Sequence, residues 1–166
     1  MIWEKSNRFD LRAREIADRH YNRQKPGTPQ FVPPGRCCIL YAENGSGRAF
    51  WVTSFPYAEY ARHAWAGAWI CSAFRNEGAG IASEMIRDAV AATRAHFGEP
   101  PALGMITFID SKKVKPTMVH GRKTWGLTYI KAGFKPVGKT KGGLLALQLL
   151  PEDMPPAESA KESVKC

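Results

Sequence analysis

A chain of 166 residues, 44% of them apolar, is long enough for one domain with a sizeable core and has the composition of a globular protein. Lys and Arg outnumber Asp and Glu by 24 to 15, a formal net charge of +9, which favours polyanionic partners over cationic ones. No apolar run approaches the ~18 residues that span a membrane, and Met1 to Lys5 lacks the apolar core of a secretion signal. The four cysteines form no C-x-x-C pair and no zinc spacing, and the adjacent Cys37 and Cys38 would point to opposite faces of a strand. The expectation is therefore a cytoplasmic protein with free thiols, no metal and no membrane partner.

In chain order, Asp10 to Tyr21 reads as a first helix, with Phe9, Ala13, Ile16, Ala17 and His20 along one face. His20 is either a half-buried residue closing the last turn or a side chain pointed into an acceptor cleft. Gln24 to Arg36, with four prolines, is a long structured loop. Cys37 to Ala42 and Ala49 to Ser54 read as strands of an antiparallel hairpin, joined by a turn with Asn44-Gly45. Pro56 to Ala66 has helical spacing, and Trp51, Trp65 and Trp69 suit a core or a cleft wall. Ala68 to Phe74 is rich in strand formers and runs into Arg75-Asn76-Glu77-Gly78-Ala79-Gly80. From Ile81 to Phe97 the apolar residues repeat at helical spacing. This unit is strand, glycine loop, helix. Its glycines allow close approach, and its free N–H groups with the helix N-terminus make a phosphate site, against the plainer reading of a glycine-rich helix start.

Leu103 to Ile109 is the next strand, and Asp110 follows it. In a largely parallel sheet that end gathers ligand groups; otherwise Asp110 caps a turn. From Ser111 to Lys141 there are nine Lys or Arg and no acid: Lys112, Lys113, Lys115, Arg122, Lys123, Lys131, Lys135, Lys139 and Lys141. Nucleic acid is the common partner of such a patch, and His120 and Trp125 among the cations are candidates to stack on bases; an acidic protein or plain solvated surface are the other readings. Tyr129 to Ala132 ends a helix at Gly133, with Phe134 opening a strand. Gly142 to Leu150 is the last strand. Pro151 to Cys166, rich in Pro, Glu, Ser and Lys, reads as a disordered tail.

Arg75 to Gly80 resembles the R/Q-x-x-G-x-G/A pyrophosphate loop of the GNAT acyltransferases, and Tyr129-Ile130-Lys131-Ala132-Gly133-Phe134 resembles their Y-x-x-x-G-F element, in the right order with a strand between. The resemblance implies an α/β (α+β) fold: a single GNAT-like domain over residues 1–150 with a mixed central sheet flanked by helices, then the tail 151–166. It implies acetyl-CoA or CoA as acyl donor, held by Arg75, Asn76, Glu77, Gly78, Ala79 and Gly80.

Read together, His20-Tyr21 before a Pro-rich loop, Phe74 to Glu77, Asp110 and Tyr129 to Gly133 resemble the Mom-type DNA modification proteins of bacteriophages, a divergent GNAT branch that adds a carbamoylmethyl group to adenine N6 and so protects phage DNA from restriction. That resemblance implies a double-stranded DNA partner contacted by Lys112, Lys113, Lys115, Arg122 and Lys123. Arg75 would hold the donor end, and His20, Asp110 and Tyr129 would line the acceptor cleft, with Ser83 a weaker match. It would place the protein in the host bacterial cytoplasm. The sequence leaves open a CoA-dependent N-acetyltransferase for a small amine or protein, a non-catalytic GNAT-shaped DNA-binding protein, and the choice between monomer and homodimer.

Overall fold

The structure, a computed structural model, describes residues 1–20, 32–33, 35–56 and 63–163. Most of the Pro-rich loop and of the short helix expected at Pro56 to Ala66 lies outside the described residues. The chain forms β1 (Glu4–Lys5), α1 (Leu11–Ala17), β2 (Cys37–Asn44), β3 (Gly47–Ser54), β4 (Trp69–Glu77), α2 (Ala82–Phe97), β5 (Met105–Ile109), β6 (Thr117–Val119), β7 (Arg122–Thr124), α3 (Leu127–Lys131), β8 (Lys135–Lys139) and β9 (Leu145–Leu149). Seven strands make one sheet in the order β1-β2-β3-β4-β5-β9-β8, and β6 and β7 form a separate two-stranded ribbon. The sheet is mixed but not largely parallel: within it only β4 and β5 run parallel. No helix among the described residues is long and apolar enough to cross a membrane.

The side chains of β2 and β3 alternate between two cores, which is why their sequences read as nearly unbroken apolar runs. Cys38, Leu40, Ala42, Ala49 and Trp51 join the core under α2 with Trp3, Trp69, Met85, Ile86 and Val90. Ile39, Tyr41, Phe50 and Val52 pack against Ala13, Ile16 and Ala17 of α1. Helix α1 starts at Asp10, whose carboxylate accepts from the Arg12 N–H, a standard N-cap. Phe9 was expected on its apolar face. It precedes the cap, where the backbone is not yet helical, and is 80% exposed.

Polar groups inside the larger core are chained together. Trp51 Nε1 donates to Thr53 Oγ1 at 2.6 Å, the Thr53 and Thr93 hydroxyls bond at 3.0 Å, and Thr93 donates back to the Ala89 carbonyl. This chain ties β3 to the middle of α2 and satisfies hydroxyls that burial would otherwise penalise.

The Tyr-x-x-x-Gly-Phe segment is a helix stop. Gly133 has φ +107, its N–H donates to the Ile130 carbonyl, and the Phe134 N–H donates to the Tyr129 carbonyl at 3.0 Å. That is the paired bonding of a Schellman motif, and the rings of Tyr129 and Phe134 meet edge-on at 5.4 Å, the apolar contact that usually accompanies it. Tyr129 is thus fixed at both ends of its local geometry.

The tail is not disordered over its described part. Met154 and Ala160 are buried, the Glu158 N–H donates to the Ala91 carbonyl, and Lys161 exchanges backbone bonds with Trp3 and Lys5. Arg94 holds the Pro155 carbonyl at 2.9 Å. Non-local partners on α2 and β1 supply what the tail's own composition lacks. Replacing Met154 with alanine should cost about 2 kcal/mol or more, and a chain ending at Leu150 should lose more. Urea denaturation followed by tryptophan fluorescence measures both; a truncated chain as stable as the full one would mean that the tail contributes nothing.

Candidate active site

Strands β4 and β5 pair over three positions only: Trp69 with Met105, Ile70 with Ile106 and Cys71 with Thr107. On its other side β4 carries a bulge at the same height. Val52 pairs with Ala73 and Thr53 with Cys71, so Ser72 is an extra residue, its hydroxyl 2.6 Å from that of Ser54. A bulge bends its strand and increases the local twist. Beyond it β4 stays with β3 as far as Asn76, while β5 ends at Ile109 paired with β9. The two strands diverge and leave a cleft of about 420 Å³ between them. That volume lies in the range of small-ligand sites, and it sits at the carboxyl ends of two parallel strands, where open sheets hold ligands.

His20, Arg75 and Tyr129 line this cleft together, with Ser72 to Asn76 on one wall, Thr107 to Ile109 on the other, and Lys115, Thr117 and Thr124 at its rim. His20 follows α1 through a turn, its backbone N–H on the Ala17 carbonyl, and its Nε2 lies 3.2 Å from the Phe74 carbonyl oxygen. A carbonyl only accepts, so Nε2 carries a proton. The Tyr129 ring packs edge-on to Phe74, and its hydroxyl is 3.6 Å from Cys71 Sγ. Burial pushes the Cys71 thiol up to about 12, which keeps it neutral and unreactive beneath the tyrosine.

Arg75 Nε donates to Glu77 at 2.8 Å, and Arg19 grips the same carboxylate with two nitrogens. The hydrogen bonds from Arg19, then those from Arg75, hold the Glu77 carboxyl down at about 2. Glu77 therefore fixes the direction of Arg75 from behind.

The glycine loop differs from its expected form. The Ala79 N–H is already taken by Asn76 Oδ1 at 2.9 Å, Asn76 Nδ2 donates to the Gly80 carbonyl, and Asn44 Nδ2 donates to the Ala79 carbonyl. Gly78 has φ +85, and a Cβ there would lie 3.1 Å from the Ser46 carbonyl oxygen; at Gly80 it would lie 3.3 Å from Met85 Sδ. Both glycines serve close approach to this chain's own atoms. The start of α2 lies next door. Ile81 stands at the N-cap without a side-chain hydrogen bond and is exposed, so the N–H groups that open this 16-residue helix have no cap. Ser83 lies in that first turn and is not among the residues lining the cleft.

Two further expectations are corrected. Asp110 takes the plainer of its two readings: its Oδ1 accepts from the Lys112 N–H at 3.0 Å and its carbonyl from Lys113 and Val114, so it caps the turn after β5 and does not line the cleft. Trp125 is no stacking platform. It is half-buried against the main core, and its Nε1 donates to the Val114 carbonyl at 2.8 Å, which pins the base of the β6–β7 ribbon. Sequence reasoning missed the bulge at Ser72 and the role of Arg19. An arginine one position before His20, at the end of an amphipathic helix, was a visible signal for the latter.

Comparison with protein-family models, with curated proteins and with solved structures finds no match for this chain.

The folded Glu77 value of about 2 lies below its ordinary 4.5. Its ion pairs therefore stabilise the fold fully above that ordinary value and are lost as pH falls toward the folded one. Glu77→Gln should lower the urea midpoint at pH near 7, and the gap to wild type should have narrowed by about half near pH 3. A gap that stays constant between the two would refute the pairing.

Proposed function

We propose that this protein is a GNAT-like transferase that acylates adenine N6 in double-stranded DNA, an anti-restriction modification. The observation that carries the reading is the cleft between β4 and β5, with His20, Arg75 and Tyr129 on its walls and cations on its rim. The fold part of the proposal draws support from the strand, turn and helix unit that follows β4, and from the Tyr129 to Phe134 helix stop.

A bound acyl-CoA would supply an activated thioester carbonyl, with its diphosphate at the uncapped start of α2. The rest of the chemistry belongs to the chain. Adenine N6 is a weak nucleophile, so orientation and a base decide the rate. His20 takes the proton from N6 as the new bond to carbon forms. Tyr129 gives its hydroxyl proton to the leaving sulfur. The β4 backbone beyond Cys71 has no β5 partner, and a backbone N–H on that side would polarise the reacting carbonyl. Arg75, braced by Glu77, holds a polar group of the donor. Because N6 lies in the paired edge of the duplex, the base must leave the stack to enter the cleft.

A CoA-dependent N-acetyltransferase acting on a small amine or a protein is the competing reading, since the cleft volume also suits a small acceptor. Mass spectrometry of nucleosides from DNA of bacteria expressing the protein separates the two. A modified deoxyadenosine is expected, and its mass identifies the group transferred. Unmodified DNA, together with acetylation of a small amine by the same preparation, would reject the DNA reading. His20→Ala should lower the yield by about 10²-fold or more, and Tyr129→Phe by less, because water replaces its proton.

Ser83→Glu should abolish the heat of CoA binding in calorimetry. It adds a negative charge to the first turn, which suits the helix dipole but repels a diphosphate. An unchanged melting temperature with unchanged CoA binding would remove the start of α2 as the anion site.

A further inference from the structure

The β6–β7 ribbon was read in sequence only as a basic run, yet it has a definite shape. Thr117 pairs with Thr124, Met118 with Lys123 and Val119 with Arg122, leaving a two-residue turn of His120 and Gly121. Both turn residues have positive φ, +49 and +77. That is what a type I′ turn requires, and it matches the natural twist of a hairpin. The ribbon is therefore stiff at its tip, and Trp125 locks its base to Val114.

Its two faces differ. Thr117 and Thr124 form one wall of the cleft rim. Strand alternation puts Met118 and Lys123 on the opposite face, where Met118 is 60% exposed and Lys123 is exposed beside it. Lys112, Lys113 and Lys115 are exposed in the segment leading into the ribbon. Among the described residues, none of the five cations Lys112, Lys113, Lys115, Arg122 and Lys123 forms an ion pair. The remaining cations are placed differently. Lys135 and Lys139 lie on β8, the exposed edge strand of the large sheet, where lysines discourage strand addition.

We infer that the β6–β7 ribbon enters the major groove of duplex DNA, with the Met118–Lys123 pair against base edges and Lys112, Lys113 and Lys115 on phosphates. This rests on the DNA reading given above and adds the mode of contact. Three observations carry it. A two-stranded ribbon is the right width for a groove about 12 Å across. The unpaired cations complement a polyanion. An apolar side chain beside a lysine on one face suits base edges, which offer both a thymine methyl and guanine acceptors.

Footprinting with dimethyl sulfate reads the groove directly, because it methylates guanine N7 in the major groove and adenine N3 in the minor groove. On the full chain bound to a duplex, N7 should be protected and N3 should stay reactive. Met118→Ala combined with Lys123→Ala should remove that protection and flatten sequence preference, while the melting temperature stays unchanged. Lys112, Lys113 and Lys115 changed together to serine should weaken binding to all duplexes alike and reduce the salt slope by about 3. Protection of N3 with N7 open, or competition by poly-glutamate as effective as by duplex, would overturn the inference. Protected N7 with unmodified adenine would leave the ribbon standing and reject the catalytic proposal alone.

Discussion

Two parallel strands that stop bonding after three residues are the constraint on which this molecule turns. Parallel β4 and β5 share the register at Trp69, Ile70 and Cys71, and the bulge at Ser72 then carries β4 away with β3. Sheet backbone normally finds its partners in neighbouring strands, so a gap between two central strands has a cost unless something fills it. Below the gap the two strands are held by the core of Trp69, Met105 and Leu149. Above it, the walls are finished by side chains from α1's end, from α3 and from the ribbon. The fold thus spends its rigidity on holding an opening.

Legibility in the sequence followed the range of the interactions. Helix α2, the β2–β3 hairpin and the stop at Gly133 were readable because each is set by residues within about a turn or a hairpin of one another. The bulge was not, since Ser72 is an ordinary residue whose displacement depends on the partner strand. The glycine loop was half readable. Its strand, turn and helix are present, but the side chain of Asn76 occupies the loop in a way that no spacing rule contains. The ribbon was hidden because its three-residue strands are polar and short, and its turn signal, His120-Gly121, was absorbed into a charge count. The tail was misjudged because its anchors, Trp3, Lys5 and Ala91, lie far away in sequence.

Of the candidate site residues, those with local reasons to be placed came together. His20 follows a short helix through one turn, and Tyr129 is gripped by its own helix stop; both reach one cleft. Asp110 was chosen on the premise of a largely parallel sheet, and it answers to its own turn instead. Arg75 keeps its place but arrives with two companions, Glu77 and Arg19, that make it a braced side chain rather than a loose one.

The edges of the large sheet are closed by different devices. At β1, Lys161 lies alongside Glu4 as a parallel bridge, and the Lys161 carbonyl takes the Lys5 N–H. At β8, Pro136 lacks an N–H, the ladder slips between Pro136 and Gly138, and lysines flank the slip. Neither border offers a clean row of donors and acceptors to another chain. Association by continuing one sheet into the next, the simplest route by which β-rich subunits join, is thereby disfavoured at both ends, so a second copy would have to meet this one through its helices or its loops.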